Sequence, residues 1–212
     1  MTGAALLALA AVGLLLGRTR VLARRLDRVA YAEHELRGAV TALALIGAHS
    51  GGDREAIAVQ LDRLCAGLAD LRAARGGGPP AAGRATVDVA RFAEALLAPW
   101  RPLGSRRAAP GPRVIADRGR LAQALGNLVA NAAEHGEGAA ELRSRRMGEV
   151  VRLEVRNRRA AERAPGPDRG RGLRIAGRAA RELGGRLDVR VDGDEVVAAL
   201  DLPAEGPPAA RT

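Results

Sequence analysis

The chain has almost no aromatic residues, no lysine and a single cysteine, and each scarcity narrows what it can be. Tyr31, Phe92 and Trp100 are the only aromatics in 212 residues, so its cores must be built from Leu, Val, Ile and Ala. That suits helices packed on one another or on a sheet better than an aromatic-rich sandwich. It also leaves no platform for stacking nucleobases, although a net charge of +10 would otherwise raise nucleic acid or anionic lipid as a partner. All 34 basic residues are arginine, scattered along the chain rather than gathered on one element. With so much Ala, Gly and Pro this reads as the compositional bias of a GC-rich genome, and no nucleic-acid partner is expected. Cys65 is alone, which excludes a disulfide framework and a cysteine-based zinc site and points to a reducing compartment.

Gly3 to Gly17 is an uncharged run rich in Ala and Leu, followed at once by Arg18, Arg20, Arg24 and Arg25. Residues 1–17 are therefore expected to form a transmembrane anchor in the inner (cytoplasmic) membrane, with the arginines and everything after them on the cytoplasmic side. Seventeen helical residues reach only about 25 Å, short of a hydrocarbon core of about 30 Å. A cleaved signal peptide fits less well, because the positive charges follow the apolar stretch instead of preceding it.

From Arg18 to about Ala48 the pattern predicts one long helix whose apolar residues Leu22, Leu26, Val29, Leu36, Val40 and Leu43 step by fours and threes. The one polar stop in that seam is Glu33, which places His34 and Glu35 just off the packed line, where a second module can reach them. Gly51-Gly52-Asp53 supplies a turn and an N-cap, and a second helix repeats the spacing with Ile57, Leu61, Leu64, Leu68 and Leu71. An antiparallel hairpin with two apolar edges cannot bury both well, whereas two hairpins related by a dyad make a four-helix bundle. A homodimer is expected over residues 18–75. Gly76-Gly77-Gly78-Pro79-Pro80 opens a flexible linker spanning 76–85, and a second module is expected over 86–204, with a tail over 205–212.

The second module begins with a helix-like segment over Thr86 to Trp100 and a short strand over Arg113 to Ala116. The helix predicted for Arg118 to His135 has Leu121, Leu125, Leu128, Val129 and Ala132 as its buried stripe. Asn127 and Asn131, four apart, share another face. Asparagine is a poor helix former, so two on one face suit either a solvated surface or a site. In a site, a carboxamide oxygen completes the shell of Mg²⁺ while the amide donates to phosphate. Two strands follow, Ala139 to Arg146 and Glu149 to Asn157, and then Gly170-Arg171-Gly172-Leu173 at the start of a helix ended by Gly184-Gly185. Glycines there let phosphates approach free backbone amides, though a glycine pair more often marks a plain turn. Arg186 to Val191 and Glu195 to Leu202 read as a closing hairpin.

In this order, these segments resemble the sensor histidine kinases of two-component systems. His34-Glu35-Leu36-Arg37 is similar to the family's H-box, Asn127 to Asn131 with Ala132 to its N-box, and Gly170-x-Gly172-Leu173 with Ile175-Ala176 and Gly184-Gly185 to its second glycine box. The resemblance implies an α plus α/β architecture: a dimerisation and phosphotransfer hairpin, then an α/β-sandwich ATP-binding domain of the GHKL (HATPase) type. It implies that His34 attacks the γ-phosphate of ATP, that Glu35 orients and deprotonates the imidazole, and that Asn131 holds Mg²⁺. Asn127, Gly170, Gly172 and Leu173 would contact phosphates, and the phosphoryl group would pass to an aspartate on a response regulator receiver domain. Neutral imidazole is a competent nucleophile at cytoplasmic pH, and phosphoryl transfer depends chiefly on positioning and charge neutralisation.

Two departures bear on activity. Where the family's first glycine box reads D-x-G-x-G, this chain reads Asn157-Arg158-Arg159-Ala160-Ala161, so Asn157 offers adenine a carbonyl oxygen without the charge. Losing a charge-assisted bond costs about 1.5 to 3 kcal/mol, or about one to two decades in affinity. Four residues after His34 the family's Thr or Asn is Gly38, which predicts poor phosphatase activity towards the regulator. Beside the membrane-anchored kinase, two alternatives stand: a degenerate phosphotransfer or partner protein without ATP chemistry, and a basic nucleic-acid or anionic-membrane binder.

Overall fold

In a computed structural model, described for residues 3–49, 54–76, 83–99, 111–159 and 170–206, two long helices are followed by an antiparallel sheet with helices on one face. Side chains at 3–11, 24, 28, 47–49 and 138–139 lie outside that description. The turn expected at 51–53, residues 77–82 of the linker, the connection over 101–110 and most of the segment after Asn157 also fall outside the described residues, whereas Arg84 and Ala85, expected in the linker, belong to a strand.

Helix α1 spans Gly3–His49 and α2 spans Arg54–Ala74. They meet along a face different from the leucine seam. Ala32, Glu35, Ala39, Ala42 and Ile46 are buried on α1, and Ala56, Val59, Gln60, Arg63, Ala66, Gly67, Asp70 and Ala74 on α2. Small residues let the two backbones approach. The predicted seam is left largely on the outside, with Leu22, Leu26, Val29, Val40, Leu61 and Leu68 all exposed. The transmembrane anchor expected over 1–17 is not supported. Among the described residues no helix is long and apolar enough to cross a membrane, since from Val12 onwards the apolar stretch soon meets Arg18 and Arg20.

Strand β1 (Arg84–Asp88) pairs antiparallel with β2 (Arg113–Asp117), and α3 (Val89–Leu97) lies between them in sequence. The helix expected from Thr86 thus begins three residues later. Thr86 and Val87 take strand geometry, and Asp88 caps α3 by accepting from the amides of Ala90 and Arg91 at 2.9 and 3.1 Å. Asp117 does the same for α4 (Arg118–His135), accepting from the Arg120 amide at 2.9 Å.

The main sheet has the order β3-β4-β6-β5, all antiparallel, built from Gly136–Met147, Val150–Arg159, Glu195–Pro203 and Arg186–Asp192. Val151, Leu153 and Val155 of β4 alternate inward and meet Leu200 and Leu202 of β6. Phe92 and Leu96 of α3 and Leu121, Leu125 and Leu128 of α4 fill the same core. Helix α5 (Arg171–Glu182) packs beside α4 through Ala176, Ala179, Ala180 and Leu183, and Gly184, at φ 79°, ends it. On the opposite face of the sheet, Asp201 accepts from Arg152 at 2.6 and 2.8 Å and from Arg186 at 3.0 Å.

Candidate functional site

The first half of α4 lies along α2, and the two modules touch there. At the start of α4, Arg118 donates to Asp62 at 3.0 Å and to Glu55 at 2.9 Å. Two residues on, Arg120 grips buried Asp70 with both terminal nitrogens, at 2.9 and 3.0 Å. Gln123 adds a bond to the same carboxylate at 3.1 Å, and Arg178 of α5 another at 2.7 Å. Burial alone would push the Asp70 carboxyl up. The guanidinium of Arg120, with help from Gln123 and Arg178, outweighs it and holds the group below the usual carboxylate range. Glu182 completes the cluster, bonded to Arg120 at 2.7 Å and Arg178 at 2.8 Å.

A second junction forms one to two turns further along α4. Glu35 is fully buried, and Arg63, itself 1% exposed, donates to it twice, Nε to Oε2 at 3.1 Å and Nη2 to Oε1 at 3.2 Å. Asn127 donates its side-chain amide to the same Oε1 and to the Gln123 carbonyl. The acid of the H-box-like segment and the first asparagine of the N-box-like segment are thus partners. His34 stands half-buried on α1 beside them in sequence.

The second asparagine meets the glycine segment. Asn131 lies over the α-carbon of Gly172, where an added β-carbon would come within 2.8 Å of Oδ1 and 2.9 Å of Nδ2. Gly170 adopts a left-handed conformation, φ 85°, and α5 begins there without a side-chain cap. The amides of Gly172 and Leu173 in that first turn have no intrahelical acceptor. Leu173 itself points outwards, 37% exposed, so any contact it makes with phosphate is through its backbone. Asn157 sits near the end of β4, against Gly136 at the foot of α4, with its amide donated to the Arg158 carbonyl at 3.1 Å. That leaves Oδ1 as its acceptor.

The donor set suits Mg-ATP. Asn131 Nδ2 and Asn127 Oδ1 are buried without a partner, one donor and one acceptor on neighbouring turns, so each carboxamide must turn over for Asn131 to offer its oxygen to a cation and Asn127 its amide to phosphate. A carboxamide oxygen is a hard ligand of the kind Mg²⁺ takes, and uncapped amides at a helix start suit phosphate. Among the described residues no cluster of three or more His, Cys, Asp or Glu is placed to hold a metal. A cation here would lean on Asn131 and on phosphate oxygens.

Solved structures share this fold. The histidine kinase AdeS of Acinetobacter baumannii is 18% identical and matches with a TM-score of 0.53 over 82% of this chain and 98% of its own. A histidine kinase from Burkholderia phymatum STM815, also 18% identical, matches with a TM-score of 0.51 over 86% of this chain and 99% of its own. The fold is that of the histidine kinases. The match spans both the hairpin and the sheet, so the order hairpin, then antiparallel sheet with helices, is common to all three. No protein-family model matches the sequence, and no curated protein does.

The residues that join the modules, Arg63, Asp70, Arg120, Gln123 and Arg178, escaped the motif reading. A signal for some of them was present: Ala56, Gln60, Arg63, Gly67, Asp70 and Ala74 step by fours and threes beside the leucine seam, a second stripe made of small and polar residues.

Proposed function

We propose that this chain is a histidine protein kinase that transfers the γ-phosphoryl group of ATP to His34 and then to an aspartate of a response regulator receiver domain. The observation that carries the reading is the meeting of Asn131 with Gly172 on a histidine-kinase fold. Mg-ATP supplies the phosphoryl group and the charge neutralisation. Asn131 would hold the cation, the amides at the start of α5 and Asn127 would bind phosphate, and Asn157 would accept from the adenine amino group. Glu35 takes the imidazole proton as His34 becomes phosphorylated. In the structure Asn127 is bonded to Glu35, so it must exchange that partner for phosphate when nucleotide arrives.

Two copies associate through the exposed stripe of Leu22, Leu26, Val29 and Val40 on α1 with Leu61 and Leu68 on α2. A stripe with heptad steps on both helices of one hairpin is what a second hairpin covers in a four-helix bundle. The ATP dependence assigns the reaction to the cytoplasm.

The phosphotransfer or partner reading keeps a specific support, the uncharged Asn157 at the adenine end. Calorimetry with Mg-ATP on the full chain separates the two. Saturable binding that N131A weakens supports the kinase; no binding by the folded chain, either as wild type or as N157D, supports the partner protein.

A further inference from the structure

We propose that Arg63 is a catalytic residue for phosphoryl transfer at His34, orienting Glu35 in the ground state and donating a hydrogen bond from its free Nη1 to the phosphoryl group on His34 as transfer proceeds. This rests on the kinase reading above. An arginine 1% exposed is rare, because removing a guanidinium from water carries a penalty of several kcal/mol. Glu35 offsets that penalty through a bidentate bond, yet Nη1 stays buried without a partner. An orphaned buried donor opposes folding, because its hydration is lost and nothing replaces it.

The surroundings are shaped for this guanidinium. A β-carbon on Gly38 of α1 would stand 3.1 Å from Nη2, and one on Gly126 of α4 would stand 2.9 Å from Nη1. Both glycines lie inside helices, where each is disfavoured by about 1 kcal/mol relative to alanine. Two glycines from two modules, a buried ion and an unmade hydrogen bond all oppose stability, and an apolar residue at 63 opposite an apolar 35 would avoid every one of them. Retaining them is explained by a task.

Position supplies the task. Gly38 follows His34 by four residues, so the guanidinium packs against the α1 face that His34 occupies one turn earlier. As an imidazole nitrogen bonds to the γ-phosphorus, the bond from phosphorus to the ADP oxygen breaks, and the proton on the other ring nitrogen passes to Glu35. Glu35 then becomes neutral and Arg63 loses its counter-charge. The new phosphoryl group on His34 supplies another, with planar donors suited to its oxygens. Charge at Arg63 is therefore compensated before and after transfer, by Glu35 and then by phosphate.

The test follows label at His34 in the full-length wild type, R63K and R63M, from Mg-ATP and separately from phosphoramidate, a small P–N donor that releases ammonia and needs no nucleotide site. Thermal melts and Mg-ATP affinity are measured alongside. R63M is expected to slow labelling from both donors by on the order of a hundredfold while binding Mg-ATP as the wild type does, and R63K to recover about tenfold of that loss as a point charge without the fork. Labelling of R63M at the wild-type rate, or faster, overturns the proposal. Should R63M fail to fold, E35Q/R63M is compared with E35Q, since removing both charges leaves no unpaired ion. A slower double variant upholds a direct role for Arg63, and equal rates overturn it. Wild type labelled by phosphoramidate but not by ATP would sink the kinase reading alone, because the Arg63 comparison is still read from the small donor.

Discussion

Asn131 covers the α-carbon of Gly172 so closely that the pair leaves no room for a β-carbon, 2.8 Å separating its ideal position from Oδ1. The atoms in the way are the far end of a movable side chain. G172A should therefore displace Asn131 rather than unfold the module. The expected outcome is a melt lowered by only a few degrees and Mg-ATP affinity reduced at least tenfold, with G172A/N131A no worse than N131A. Calorimetry on the three variants reads this out, and additive losses would show that the two residues act separately.

Asn157 is predicted to limit nucleotide affinity. N157D replaces a neutral acceptor with a charged one and should tighten Mg-ATP binding by about ten- to a hundredfold, corresponding to about 1.5 to 3 kcal/mol. It also gives up the bond to the Arg158 carbonyl, so the gain is read at equilibrium binding and not inferred from stability.

Asp70 holds the hairpin to the sheet module, and its contribution is pH dependent. Its carboxyl is depressed in the folded chain, so the stabilisation is fully present above the unfolded value of about 3.9 and is lost as pH falls through the lower folded value. D70N leaves Arg120 and Arg178 without this partner and should lower stability at neutral pH by about 2 to 4 kcal/mol, towards the low end for breaking a buried pair because Arg178 is partly in water. Denaturant titrations from pH 7 to pH 2.5 should show a smaller acid loss in D70N than in the wild type. Asp201 and Glu154 are depressed too, so some acid loss persists.

The leucine stripe should govern association. Leu26 and Leu61 are 71% and 49% exposed in the single chain, so L26E/L61E should keep its circular dichroism and lose its dimer. Each leucine buried at an interface contributes about 1.5 to 3 kcal/mol, and the dyad counts each twice. Sedimentation equilibrium should show dimerisation weakened by more than about a hundredfold.

Most of the fold was legible because its elements carry separate periodicities. The helix from Arg118 to His135 has the predicted ends, fixed by Asp117 as cap and by Gly136 after it, and Val151, Leu153 and Val155 alternate as a half-buried strand should. The strand at Arg84–Asp88 was hidden because Thr86 and Val87 lead without a break into the apolar face of α3, and its pairing with Arg113–Asp117 is a long-range contact that no local pattern encodes. The hairpin's inner face went unread for a related reason: leucines are the strongest signal in a window, yet the small and polar stripe of Ala56, Gln60, Arg63, Gly67 and Asp70 is the one that faces α1 and α4.

Of the site, the single residues were readable and their partnerships were not. Glu35, Asn127, Asn131 and Gly172 stood out by type and spacing, whereas the bond from Asn127 to Glu35 spans 92 residues and depends on how α4 lies on α2. Arg63 was lost among many scattered arginines, where its burial is invisible to composition.

Everything proposed for the site converges on His34 as the residue that receives the phosphoryl group of ATP. Purified full-length chain incubated with Mg²⁺ and γ-labelled ATP, beside H34Q, should acquire acid-labile, base-stable label that the variant lacks. Folded, dimeric wild type that takes up no label, or label that persists in H34Q, would contradict the account.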